Sequence, residues 1–317
     1  MHKHVTRAAL LVGVAALAAT AWAASGSARP FAGNVSGTLT ADGSSTVAPF
    51  TTAGAEAFQR GNPGARITVG VSGTGGGFER FCKGETDLSN ASRPIRYSEA
   101  KRCQDAGVRY IQFLVANDGI SIVVNRSNTW ANCLTVDELK KVWDRGSRVN
   151  NWSDVRAGFP SVPLKLYGPG TDSGTFEFFT EKINGTARRS RSDYSASEDD
   201  NVLVRGVSGE NGGMGYFGLS YYIENKSRLK VVRVDGGNGC QTPSIATVQN
   251  RAYKPLSRAL FIYVKRSSFN KAITRAFIKY LITNEKKIAN TAKMVSLTPA
   301  QLRKAKRQYN TALANRG

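Results

Sequence analysis

Between Gly170 and Thr175 the chain reads GTDSGT, and the apolar helical pattern FEFF follows at once, so a reactive-looking hydroxyl, Ser173, sits where a helix begins. Two chemistries use that placement. A serine nucleophile needs a neighbouring base to take its proton. An anion cradle needs hydroxyl donors beside the unpaired N–H groups of a helix start. Two further segments have the same make-up: GSST at Gly43 to Thr46 and SGTGGG at Ser72 to Gly77 each follow a strand-like run and open a helical one.

The nucleophile lacks a base. His2 and His4 are the two histidines of the 317-residue chain, and both lie in an N-terminal stretch expected to be removed. A Ser-His-Asp triad is therefore unavailable. Lys165, Lys182 or a carboxylate would have to serve, and no S-x-x-K spacing puts a lysine beside Ser173. The expectation is a protein that is not an enzyme. An anion cradle, by contrast, uses what is present. The first turn of a helix carries free N–H groups and a partial positive charge. Glycines let backbone approach closely, and Ser and Thr hydroxyls add donors. A single Ser/Thr-rich helix start is in most proteins only a cap, but three on βα turns point to a shared site. Five or six hydrogen bonds to a charged oxygen, at about 1.5–3 kcal/mol each, suffice for micromolar binding at about −8 kcal/mol after the costs of association.

The elements that would carry these loops alternate. Thr38 to Ala41 is strand-like, and Val47, Phe50, Ala53 and Phe58 fall on one helical face. RITVGVSG reads as a strand and GGGFERFCKG as a short helix closed by Gly84, giving the β-α-β-α order of an open α/β sheet. The long apolar stretch VRYIQFLVANDGISIVVN is expected to break at Asn117-Asp118-Gly119, as a crossover between two lobes would, and YKPLSRALFIYVK near Tyr253 to Lys265 would return the chain. TVDELKKVWDR predicts a helix with Thr135 as cap and Glu138 completing a capping box. Amphipathic helices are expected over Phe269 to Asn290 and Pro299 to Leu313.

Residues 1–23 carry Lys3 and Arg7, an apolar run from Ala8 to Ala19, and Ala21-Trp22-Ala23, the signature of a secretory signal peptide. The run is short for a membrane span of roughly 20 residues. No cysteine follows the cleavage site to carry a lipid, and no stretch of the mature chain reads as a transmembrane helix. The protein is thus expected in a periplasm or at an extracytoplasmic surface. Removing the two cations lowers the formal net charge from +21 to +19. Basic residues cluster as RRSR at Arg188 to Arg191 and RKAKR at Arg303 to Arg307, without an aromatic-interleaved or zinc-finger pattern, which speaks against nucleic acid as partner. Cys82, Cys103, Cys133 and Cys240 form no C-x-x-C pair, so no metal or cofactor is implied and disulfides are expected in an exported chain.

Over nearly the whole mature chain, DGSSTVAP, VSGTGGGFERFCKGETDLSNASRPI, YGPGTDSGTF and PLSRALFIYV occur in an order that resembles the PstS proteins, the phosphate-binding receptors of ABC importers. The resemblance implies an α/β, two-lobed type II periplasmic-binding-protein fold with two crossover strands and a ligand cleft between the lobes. The implied organisation is a signal peptide at 1–23, a flexible entry at 24–36, lobe 1 at 37–118 and 256–317, and lobe 2 at 119–255. Of the three ways to pair the cysteines, Cys82–Cys103 with Cys133–Cys240 keeps each bridge within one lobe.

Carried over by motif, Ser45 and Thr46 fall on the first phosphate-binding loop, Thr74 on the second, and Ser173, Gly174 and Thr175 on the third, which makes Ser173 a donor. Two positions depart from the family pattern. Many members carry an aspartate where this chain has Ser92 and Arg93, and an arginine where it has Gly168-Pro169. Arg93 is expected to replace the missing cation, while Asp118 or Ser92 would accept the proton of a protonated phosphate. The implied function is a monomeric receptor that binds inorganic phosphate and docks, closed, on a membrane permease. The altered acceptor leaves sulfate or another tetrahedral oxyanion as the alternative ligand.

Overall fold

The computed structural model describes residues 35–314. The expected signal peptide, and the entry segment up to residue 34, lie outside the described residues.

Among the described residues eleven strands form: β1 (Gly37–Gly43), β2 (Ala65–Val69), β3 (Leu88–Ala91), β4 (Tyr110–Asn125), β5 (Cys133–Thr135), β6 (Lys165–Gly168), β7 (Ser195–Ala196), β8 (Gly213–Gly218), β9 (Leu229–Asp235), β10 (Cys240–Gln241) and β11 (Ser257–Lys265). Their lateral order is β2-β1-β3-β11-β4-β8-β6-β7, with β9 pairing β4, β5 and β10. The parallel set β2-β1-β3 follows from the β-α-β-α order, because parallel neighbours need a helix to carry the chain back.

The 16-residue β4 joins two halves. Its residues Tyr110 to Gly119 pair antiparallel with β11, and Ile120 to Val124 pair with β8. Each half has its own core. Leu39, Phe50, Phe58, Phe113, Leu260 and Phe277 lie in one cluster. Ile122, Trp143, Trp152, Phe179, Tyr216 and Val232 lie in another. Burial of each such side chain contributes about 1.5–3 kcal/mol, and Tyr216 is gripped further by a stack on Phe179 at 3.7 Å and an edge contact with Trp143 at 4.8 Å.

The helix signals act where the sequence puts them. Thr135 Oγ1 accepts from Glu138 N at 3.1 Å and Thr135 N donates to Glu138 Oε2 at 2.8 Å, the reciprocal capping box, ahead of the Val136–Trp143 helix. The Gly73–Cys82 helix ends before Gly84, which adopts φ +81°. The disulfides are Cys82–Cys103 and Cys133–Cys240, as expected.

Two expectations need correction. β4 runs through Asn117-Asp118-Gly119 without a break. The polar run is satisfied sideways: Asn117 exchanges backbone hydrogen bonds with Val295 at 2.8 and 3.0 Å, Asp118 pairs with Arg258, and a Cβ on Gly119 would press on Val248. The segment Phe269 to Asn290 is not one helix but a 3₁₀ turn Arg266–Asn270 followed by helices Ala272–Thr283 and Glu285–Thr291. Asn284 separates the last two, its amide and its Nδ2 both donating to Tyr280 O. Among the described residues no helix is long and apolar enough to cross a membrane.

Candidate anion-binding site

At the end of β1, Gly43 takes φ +134°, and a side chain there would overlap the Asn90 carbonyl. The turn spends its first two amides on the protein: Gly43 N donates to Asp42 Oδ1 at 2.6 Å and Ser44 N to Asn90 O at 2.9 Å. The buried Asp42 is in turn ion-paired with Arg80 of the Gly73–Cys82 helix, which ties the first loop to the second. The next two amides, Ser45 N and Thr46 N, have no partner among the described residues. The Ala48–Gly61 helix that follows has no side-chain cap and carries Pro in its first turn.

The second loop opens the Gly73–Cys82 helix, also without a side-chain cap. Thr74 Oγ1 lies 3.1 Å from Ser92 Oγ and accepts from Ser92 N at 3.2 Å, so the hydroxyls of two different segments meet. The third loop is braced on several sides. Tyr194 Oη donates to Pro169 O at 2.8 Å, Arg188 Nη2 to Thr171 O at 2.7 Å, and Asp172 N to Glu198 Oε1 at 3.2 Å. Ser173 caps the Gly174–Ile183 helix, its Oγ accepting from Thr175 N at 3.1 Å and Phe176 N at 3.4 Å. A Cβ on Gly174 would overlap Thr46 Oγ1 and stand 2.7 Å from Ser45 Oγ, so the first and third loops touch only because this residue is glycine.

The three helix starts line one cleft of about 720 Å³. At its inner end lies Arg258 of β11, whose side chain is 9% exposed. Its Nε donates to Asp118 Oδ2 at 3.0 Å, and Nη2 donates to Thr46 Oγ1 at 2.7 Å and to Gly174 O at 3.2 Å. The guanidinium stacks on Phe178 at 3.9 Å from the ring centroid. Burial pushes the Arg258 pKa below its ordinary value and Asp118 opposes that push. Because an arginine starts far above neutrality it stays charged, and Nη1 has no protein partner among the described residues. A buried cation with unspent N–H groups, facing free helix-start amides, is equipped to hold an anion by charge-assisted hydrogen bonds.

Of the residues singled out in the sequence, Ser45, Thr46, Thr74, Ser92, Arg93 and Gly174 line the cleft. Ser173 and Thr175 stand at the cap of the third helix, and Asp118 lies against Arg258. Arg93 is engaged elsewhere, its guanidinium bound by both oxygens of Glu99 at 2.8 Å. Arg258 and Glu177 line the cleft and were not singled out. Arg258 left a signal: one cation inside the otherwise apolar run PLSRALFIYV. Glu177, within GTFEFF, has no ion-pair partner among the described residues.

The chain matches the PBP superfamily domain over residues 30–285. It is 48% identical over 262 residues to the protein SphX of Synechococcus elongatus, covering 82% of this chain and 77% of that protein. It is 38% identical over 280 residues to the phosphate-binding protein PstS of Staphylococcus saprophyticus, covering 87% and 85%. Its fold superposes, with a TM-score of 0.84 and 43% identity, on the crystal structure of a possible phosphate-binding protein from Planctomyces limnophilus, covering 88% of this chain and 99% of that one.

Proposed function

The chain belongs to the PBP superfamily and, within it, to the PstS-like phosphate-binding proteins, and from that premise we propose that it is an extracytoplasmic receptor that binds inorganic phosphate and delivers it to an ABC importer. The observation that carries this reading is the convergence of three helix starts and a buried, partly unspent guanidinium on one cleft.

In this reading Ser45 N, Thr46 N and the amides at Thr74 and Gly174 donate to the ligand, with the hydroxyls of Ser45, Thr46, Thr74 and Ser92 beside them. Arg258, rather than the Glu99-bound Arg93, supplies the cation, and Asp118 orients it. Ser173 and Thr175 shape the third loop: the Ser173 hydroxyl spends its oxygen on the helix amides and meets no base, which favours a receptor over a hydrolase. Glu177 is the proton acceptor. A carboxylate in the cleft accepts from a protonated phosphate and repels sulfate, which has no proton to give. The lobes comprise 37–118 with 256–317, and 119–255, and they close about β4 and the segment entering β11. The chain is exported by its signal peptide and acts as a monomer on its permease.

Sulfate is the second reading, favoured by the engagement of Asp118 with Arg258, which spends one expected proton acceptor on a cation instead of the ligand. Calorimetric titration with phosphate and with sulfate decides between them. One-to-one phosphate binding with sulfate silent is expected, and Glu177→Gln should narrow the gap at least tenfold. Equal binding of both anions by the unaltered protein would make sulfate or a general oxyanion the ligand, and binding of neither would overturn the assignment.

A further inference from the structure

The C-terminal run RKAKR has no part in the cleft. It lies on the Pro299–Ala314 helix, where Lys304, Arg307, Gln308 and Thr311 share one face. That face borders a hollow of about 480 Å³ completed by Ile111 and Arg266. Arg266 also borders a second hollow, of about 740 Å³, with Lys101, Gln104, Arg109 and Tyr97. Arg109 and Arg266 are joined through their backbones, Arg266 N donating to Arg109 O at 2.8 Å. The two hollows therefore form one groove across the start of β4.

No carboxylate lines either hollow. Lys101 is paired with Asp105 one turn on in the same helix, Tyr97–Asp105, whereas Arg109, Arg266, Lys304 and Arg307 make no ion pair among the described residues. Four uncompensated cations bordering two hollows that share Arg266 repel one another and gain most from a ligand that carries several negative charges. Tyr97, 84% exposed at one end, adds an aromatic hydroxyl. The groove sits at the other end of the β4–β11 pair from the cleft: Tyr110 pairs Lys265 where Asp118 pairs Arg258, eight residues or about 26 Å away.

We propose that the groove bounded by Arg109, Arg266, Lys304 and Arg307 binds a linear polyanion of repeating phosphate groups, independently of the phosphate cleft. Cations spread over two adjoining hollows suit an extended chain that reaches from one to the other across Arg266. Neutralising about four phosphates on a flexible strand gives a salt slope near −3, hence about fifty-fold weaker binding at 200 mM than at 50 mM salt.

The test uses long-chain inorganic polyphosphate as probe, with orthophosphate saturating the cleft. Binding with that salt dependence is expected, and a variant combining R109Q, R266Q, K304Q and R307Q should weaken it at least tenfold more than one combining K226Q, K279Q, K286Q and K287Q. Those four control lysines are exposed and outside the groove. Unchanged orthophosphate affinity and melting temperature in both variants would show that the fold is intact. Equal losses in the two variants would reduce the effect to net charge and overturn the proposal. So would displacement of polyphosphate by orthophosphate, or binding to phosphatidylglycerol vesicles with none to polyphosphate.

Discussion

Removing the Arg258 guanidinium is the most informative perturbation of the cleft. A plain Arg258→Met substitution confounds two effects, because it leaves Asp118, 8% exposed, without its counter-charge. Breaking a buried pair from one side costs about 3–5 kcal/mol. The clean comparison is R258M/D118N against D118N alone, in which no orphaned carboxylate remains. Of the guanidinium nitrogens, Nε and Nη2 are spent on Asp118, Thr46 and Gly174, leaving the Nη1 N–H groups for the ligand. One or two charge-assisted bonds at about 1.5–3 kcal/mol each predict that phosphate affinity falls between about tenfold and 10⁴-fold. Arg258→Lys, which keeps the charge and loses the fork, should fall between. Calorimetry gives the affinities and thermal unfolding shows whether each variant is folded. A folded R258M/D118N protein that binds phosphate within threefold of D118N would refute the assignment of Arg258.

Gly174→Ala should weaken phosphate binding by at least tenfold, about 1.4 kcal/mol, because the added Cβ would overlap Thr46 Oγ1 and hold the first and third loops apart. The ligand-free melting temperature should change little, and unchanged affinity would mean the loops need not touch. Asp200 supplies a pH signature. Burial, then the charges of Asp199, Asp118 and Glu198, push its carboxyl up to about 7. Its folded pKa thus lies above the unfolded value near 3.9, so the stability it contributes is full below about pH 4 and is lost as the pH rises through about 7. Asp200→Asn should therefore gain on the unaltered protein between pH 5 and pH 8, by about 2–3 kcal/mol at about 1.4 kcal/mol per unit. Urea melts at the two pH values measure that gain, and an equal advantage at both would show that Asp200 titrates normally.

The local parts of this architecture were legible because local chemistry encodes them. Thr135 and Glu138 announce a helix start by their spacing, and the glycines at 43, 73 and 84 mark turns that a side chain would strain. The break expected in β4 failed because Asn117-Asp118-Gly119 reads as a turn within its own window. The polar groups are satisfied by Val295 and Arg258, more than a hundred residues away, and tertiary pairing overrides the local preference. The same distance hid Arg258, whose partner Asp118 lies 140 residues away in the chain. Arg93 stood beside a departure from the family pattern and drew the expectation, and in the fold its guanidinium lines the cleft while paired with Glu99, six residues on.

On the proposed reading, Arg258 also couples occupancy of the cleft to its closure. Its guanidinium bonds to Thr46, whose loop packs with the first core, to the Gly174 carbonyl, whose helix packs with the second, and to Asp118 on the strand that links them. Those three contacts coexist only when the first and third loops are as close as the Gly174 approach requires. An anion that bonds to Nη1 and to free amides on both sides gains most in this arrangement, and a ligand shifts a conformational equilibrium by its differential affinity for the two states and no more. On that reading one side chain sets both the strength of closure and the strength of binding. Substitution of Arg258 should lower both together, whereas loss of the Thr74 hydroxyl, which touches Ser92 on the same side of the cleft, should weaken binding while leaving closure in place.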